Sequence, residues 1–188
     1  MDLARLIEQL SDPKVYPAPT AEVDVHQTHI SVVFLTDQFA YKIKKPVALD
    51  FLDYSTLEQR RHWCAQEVQL NRRLAPSIYL GVVPITQDGP NVRVEGAGSV
   101  VEWAVKMHRL PEENRLDSAL ARDEVSRDVI ESLACRVAAF HRHAERSEAI
   151  TRYARFDLVA RNAYENLDQS ASHVGSTVSP PVRSEAHV

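Results

Sequence analysis

The sequence predicts an α+β fold, and three features carry that reading. Strand-like runs separated by turn residues dominate residues 23–111, a single helix is inserted among them, and beyond residue 112 apolar residues return at helical spacing. The chain has 188 residues, 44% of them hydrophobic, enough for one sizeable core. Its formal net charge of −4 argues against a general binder of nucleic acid or of anionic membranes, so any anion site must be local. The start, "MDLARLIEQL", alternates charge with apolar residues and lacks the apolar core of a signal peptide or membrane helix. A cytoplasmic protein with no nucleic-acid or membrane partner is expected.

The elements follow in order. Leu3, Leu6, Ile7 and Leu10 mark a short amphipathic helix that Pro13, Pro17 and Pro19 stop, giving an N-terminal helix and linker over residues 1–22. "HISVVFLT" and "QFAYKIKKPV" are β-rich runs whose separation by Thr36, Asp37 and Gln38 suits a hairpin. In "DYSTLEQRRHWCAQEVQLNRRLAP", Ser55 followed by Glu58 forms a capping box at the start of a helix that Pro76 closes. "IYLGVVPIT", "NVRVE" and "SVVEWAVKM" are three more strands, with "QDGP" and "GAG" as turns, which makes about five strands around one helix. Val129, Ile130, Leu133, Val137 and Phe140 share one face of a helix over residues 123–144, and a further helix spans 153–167. Residues 112–168 thus form a helical region, while 169–188 have a composition without period and are expected to be disordered. Cys64 and Cys135, single within helical patterns, read as buried reduced thiols.

Candidate chemistry centres on "FAYKIKK". Residues two apart in a strand share a face, so Ala40, Lys42 and Lys44 lie together and Phe39, Tyr41 and Ile43 lie opposite. In the capped helix Trp63, Glu67, Leu70 and Leu74 are spaced i, i+4, i+7, i+11, which places Glu67 within an apolar stripe. A carboxylate there needs a cation, and Lys42 is the first choice with Lys44 the second. The alternative is a solvated edge strand decorated with lysines and a Glu67 at the margin of its helix. His26 with His29, and His141 with His143, have metal-pair spacing but lack the third and fourth ligands of a zinc site, so no metal centre is expected from them. Gly96 and Gly98 read as a hairpin turn, and Asp50 and Asp53 as acidic residues favoured near a helix start.

A small antiparallel sheet, an inserted helix and a connector into a helical region follow the order of a kinase-like upper lobe. The run from "THISVVFLTDQFAYKIKKPV" to "SIYLGVVPI", followed by "VVEWAVKMHRLP", resembles the N-terminal region of bacterial aminoglycoside phosphotransferase-like proteins, particularly those with a following P-loop ATPase domain. The match covers roughly residues 23–141. The resemblance implies a kinase-like N-lobe and hinge over 23–111, and the first helices of an incomplete lower lobe over 112–168. ATP would lie between lobes, with Ala40 and Lys42 facing it, Lys44 as fallback, Glu67 orienting the lysine and the hinge beginning at Met107. Where a glycine-rich phosphate loop would lie, the sequence has "HQTHIS", so Thr28 and Ser31 would substitute. "AAFHRH" resembles the end of the first long lower-lobe helix.

The implied reaction moves the ATP γ-phosphoryl group to a small-molecule hydroxyl of unknown identity, with magnesium held by the catalytic half. No His-Gly-Asp occurs in the chain. "RFDLVARN" places Asp157 and Asn162 at the D-x-x-x-x-N spacing of a catalytic loop, but Arg and Phe precede the aspartate and no Asp-Phe-Gly follows; a solvated helix is the competing reading. The chain therefore reads as a truncated phosphotransferase with little or no activity of its own, whose partners would be the missing C-terminal region or a P-loop ATPase domain. The alternatives are a pseudokinase-like nucleotide-binding module and a truncated product without an independent role.

Overall fold

The computed structural model describes residues 2–49 and 51–169. They fall into two compact units, divided after Arg127. The architecture is α+β. In the first unit, helix α1 (Leu3–Leu10) leads to β1 (Asp24–Gln27), β2 (Ser31–Leu35) and β3 (Phe39–Lys44). A short ribbon of β4 (Ala48–Leu49) and β5 (Leu52–Asp53) precedes helix α2 (Leu57–Asn71). Strands β6 (Tyr79–Asp88), β7 (Asn91–Val94) and β8 (Ser99–His108) and the short helix α3 (Leu116–Ala121) follow. Six strands form one antiparallel sheet in the order β1-β2-β3-β8-β6-β7.

The first departure from expectation is the sixth strand. The segment ahead of "SVVFL" folds back as a hairpin, with Asp24 opposite Leu35 and Gln27 opposite Val32. Thr28 makes the turn: its Oγ1 accepts from the backbone N–H of Ile30 at 3.3 Å and of Ser31 at 3.0 Å. A hydroxyl closing its own backbone two and three residues on is a local turn signal that strand periodicity does not register.

Alternation along the strands gives the sheet two faces, and each is covered. Leu6, Leu10 and Tyr16 from the N-terminal segment pack on Val32, Phe34, Tyr41, Ile43, Ile85 and Ala104. On the other face Cys64 and Val68 of α2 pack on Val105, flanked by Tyr79, Val82, Trp103 and Met107.

Helix α2 differs from its sequence reading at both ends and on its face. Its N-cap is Thr56, whose hydroxyl accepts from Gln59 N–H at 3.2 Å, while the Ser55 carbonyl is taken by the Arg60 guanidinium. It ends at Asn71, before Pro76, and the next residue, Arg72, turns its side chain onto the carbonyls of Tyr79 and Leu80. Trp63, Leu70 and Leu74, expected to flank Glu67 in an apolar stripe, are exposed. The inward residues are Arg60, Cys64 and Val68 with Glu67, because the two charges on that face find partners in the sheet.

The segment at Gly96 and Gly98 is not a hairpin turn. β7 pairs with β6, Val94 opposite Ile85, and residues 95–98 then carry the chain past β6 to its other edge, where β8 pairs. A Cβ on Gly96 would meet the Thr86 hydroxyl at 2.8 Å and Arg93 Cβ at 2.4 Å. Gly98 has φ +120°, and its Cβ would approach the Gln87 carbonyl to 2.5 Å, so the crossing needs both glycines.

The second unit is helical: α4 (Arg127–His143) enters it, and α5 (Glu148–Thr151) and α6 (Phe156–Gln169) follow. α4 starts four residues later than expected, since Asp123 has a positive φ of 56° that ends the preceding turn. Val129, Ile130, Leu133 and Val137 are exposed, as is Cys135, whereas Cys64 is buried as expected. The helix expected over 153–167 begins at Phe156, after a 3-10 turn at Arg152–Ala154. Of the tail expected to be disordered over 169–188, Gln169 ends α6 and the rest, like Asp50, lies outside the described residues. Among the described residues no helix is long and apolar enough to cross a membrane.

Candidate functional site

Strand β3 lies between β2 and β8, so its lysines do not decorate a solvated edge. Lys42 is in register with Val33 on one side and Val105 on the other, and Lys44 with Ser31. Helix α2 crosses the same face and delivers Glu67 to both lysines. Lys42 Nζ donates to Glu67 Oε1 at 2.9 Å and Lys44 Nζ to Oε2 at 2.8 Å. The three side chains differ in exposure: 30% for Lys42, 6% for Lys44 and 14% for Glu67. The Lys44 ammonium also lies 4.9 Å from the centroid of the Tyr54 ring, a favourable cation–π distance.

Burial alone would raise the Glu67 pKa, but the hydrogen bonds and charges of Lys44 and Lys42 more than offset it and hold the carboxyl below its ordinary value. Burial likewise pushes Lys44 down, and Glu67 overcomes this to hold it above the ordinary lysine value. Burial, with the Glu67 charge added, raises Tyr79. A carboxyl depressed in the folded state contributes stability that is present above its unfolded pKa and is lost as pH falls through its folded value. Urea midpoints measured from pH 7 down to pH 3 should fall, and the fall should be shallower in Glu67→Gln; equal slopes would remove Glu67 as a source.

Beside Lys42 the same face is apolar. Val33 and Leu35 of β2 lie opposite Lys42 and Ala40, and Met107 of β8 lies opposite Ala40; Val33, Leu35 and Met107 are half-buried and Ala40 is buried. Of these, Ala40 and Met107 are expected from the sequence, whereas Val33 and Leu35 are not. The signal was the alternation of "SVVFL", in which Val32 and Phe34 go to the α1 side and leave Val33 and Leu35 to the lysine side.

Thr28 and Ser31 are occupied with each other. Their hydroxyls lie 3.0 Å apart, and Thr28 N–H donates to the Ser31 carbonyl at 2.9 Å. Beyond Met107, Arg109 ties the end of β8 to the rest of the sheet: it donates to Asp24 Oδ2 and to the Thr36 carbonyl, each at 3.0 Å. Asp157 and Asn162 belong to α6 in the second unit, and Asp157 is exposed and paired with Arg155 Nε at 3.0 Å. Five residues along a helix turn through about 140°, so this spacing does not aim the two side chains at one point. His26 is on β1 and His29 in the turn after it, while His141 and His143 are on α4. Among the described residues no three histidine, cysteine or acidic side chains come together to hold a metal ion.

A second buried pair on α2 escaped the sequence reading. Arg60 Nε donates to both oxygens of Glu102 on β8, at 3.0 and 2.8 Å, and its Nη1 donates to the carbonyls of Tyr54 and Ser55 at 2.9 and 3.2 Å. Trp103 N–H adds a bond to Glu102 Oε1 at 2.9 Å. Burial pushes the Glu102 carboxyl up while these donors pull the other way, and the carboxyl stays above its ordinary value. The legible sign was an acidic residue inside the apolar run "SVVEWAV".

No family model matches the chain, and no solved structure matches it. It is similar to an uncharacterized protein of Mycobacterium tuberculosis (strain H37Rv) and to one of Mycobacterium bovis. Each is 34% identical over 160 residues, which is 85% of this chain and 30% of the relative. The chain thus spans under a third of the length of the curated relatives it matches.

Proposed function

We propose that residues 23–111 form the nucleotide-holding lobe of a kinase-like, aminoglycoside phosphotransferase-like small-molecule kinase, and that its ligand is ATP. One observation carries the reading: a lysine on a central strand bonded to a glutamate on the helix packed over it, Lys42 Nζ to Glu67 Oε1 at 2.9 Å. A strand lysine held by a helix glutamate is the arrangement that kinases direct at nucleotide phosphates.

The residues fit that ligand. Two ammonium groups share one carboxylate, so the cluster keeps one net positive charge, and Lys42 is the member with solvent access to spend it on an anion. Half-buried Val33, Leu35 and Met107 lie beside it and give apolar surface suited to a base. When bound, ATP would supply the γ-phosphoryl group for transfer to a small-molecule hydroxyl. Lys42 would hold its phosphates, and Glu67 would hold Lys42. The transfer step is assigned to no residue of the chain, because Asp157 lies in the first turn of a helix and pairs with Arg155. No step is assigned to magnesium, for want of a ligand set among the described residues.

That same placement of Asp157 favours a second reading, a nucleotide-binding module without catalysis. The two share a first test. MgATP should raise the melting temperature, by the equivalent of about 2.7 kcal/mol at a hundredfold excess over Kd. Lys42→Met should abolish the shift; no shift in the unsubstituted chain at millimolar MgATP would overturn both readings. Phosphoryl transfer to a hydroxyl acceptor, lost in Lys42→Met, would then decide for the kinase over the silent module.

A further inference from the structure

We propose that Lys44 is the positioning residue of this site: it anchors the Glu67 carboxylate on its own account and leaves Lys42 free to exchange Glu67 for a ligand. The functional meaning of this assignment rests on the nucleotide-holding reading above, while its physical content concerns the ligand-free chain alone.

The two lysines make bonds of similar length, 2.9 and 2.8 Å, to the same carboxylate, yet their alternatives are unequal. Lys42 is 30% exposed, so water or a phosphate oxygen can replace Glu67 at little cost. Lys44 is 6% exposed and is enclosed by Glu67 and the Tyr54 ring, so leaving Glu67 would strand a buried ammonium. The carboxylate is therefore held even when Lys42 turns away. Helix α2 is pinned a second time, seven residues earlier, by the buried Arg60–Glu102 pair, about two turns along the axis. A helix held by a single half-exposed lysine would gain or lose its pair as it shifted. A helix pinned at two buried points keeps Glu67 in place before any ligand arrives, so the site is preassembled.

The groups facing Glu67 are Lys42 and Lys44 of β3, Tyr79 of β6 and, one turn back on its own helix, Cys64. A titration can separate the two lysines. With carbon-13 glutamate NMR on the ligand-free chain and Glu67→Gln to assign the resonance, Lys42→Met should leave the Glu67 midpoint below the ordinary value of about 4.3, and Lys44→Met should lift it above. Equal rises, or a larger rise in Lys42→Met, would overturn the assignment. Should Lys44→Met fail to unfold cooperatively, reductive methylation of the unsubstituted chain decides instead. Lys42 should then react as an exposed lysine and Lys44 should be protected; equal reactivity would overturn the proposal. In the MgATP melting assay Lys44→Met should lose most of the shift and Lys44→Arg should recover it. The titration needs no nucleotide. An absent MgATP shift in the unsubstituted chain would thus remove the nucleotide reading, while Lys44 would stand or fall on the carboxylate.

Discussion

Glu67→Ala should cost about 3–5 kcal/mol of folding stability, read from urea unfolding at neutral pH. The loss comes from what remains behind, since the Lys44 ammonium, 6% exposed, would lose its counter-charge and keep only the Tyr54 ring. Its escape routes are to reach solvent or to deprotonate, and both carry a cost. Lys42→Met provides the internal comparison, because Lys42 is 30% exposed and Glu67 keeps Lys44. It should change stability by no more than about 1 kcal/mol. The contrast separates a buried ion from a half-exposed one on the same carboxylate. A loss under about 1 kcal/mol for Glu67→Ala would show that Lys44 reaches water.

Arg60→Ala should be comparably damaging, by about 3–5 kcal/mol, because it strands Glu102 and frees two carbonyls. The Glu102 side chain is 4% exposed and would keep only the Trp103 N–H. The carbonyls of Tyr54 and Ser55, at the entrance to α2, would lose their donor. The double replacement Arg60→Met with Glu102→Leu should recover most of that loss, since a buried pair exchanged for apolar groups of similar volume is often neutral or better. If the double replacement were as unstable as the sum of the singles, the Arg60–Glu102 contact would carry no coupling, and the damage would lie in the α2 entrance carbonyls.

These two pairs also mark where reading the sequence stops. The hairpin from Ser31 to Lys44, the inserted helix and the return to helical periodicity were legible, because period 2 and period 3.6 are local properties of the chain. So was the common face of Ala40, Lys42 and Lys44. The pairing of Glu67 with a strand lysine was expected from an apolar stripe of Trp63, Leu70 and Leu74 that is in fact exposed, so the partner was named on a premise the structure does not bear out. The rotation of α2 was not legible. Apolar spacing pointed to Trp63, Leu70 and Leu74, and those side chains are exposed, while Arg60 and Glu67 face the sheet. A hydrophobic pattern cannot orient a helix whose inward face carries charges, because the deciding energy is held by partners 42 residues away for Arg60 and 25 for Glu67.

The same distinction holds for the strands. Turn chemistry at Gly89 and Pro90 marked the β6–β7 hairpin, but only the assembled sheet put β8 on the far side of β6 and required Gly96 and Gly98 for the crossing. Strand neighbours and buried ion pairs are set by long-range competition for the core, which no local window contains. What the sequence alone determined is that Ala40, Lys42 and Lys44 share one strand face and that Glu67 is a candidate partner for it. The tertiary structure decided that two lysines meet the Glu67 carboxylate, and that the buried one, Lys44, holds it while Lys42 keeps access to solvent.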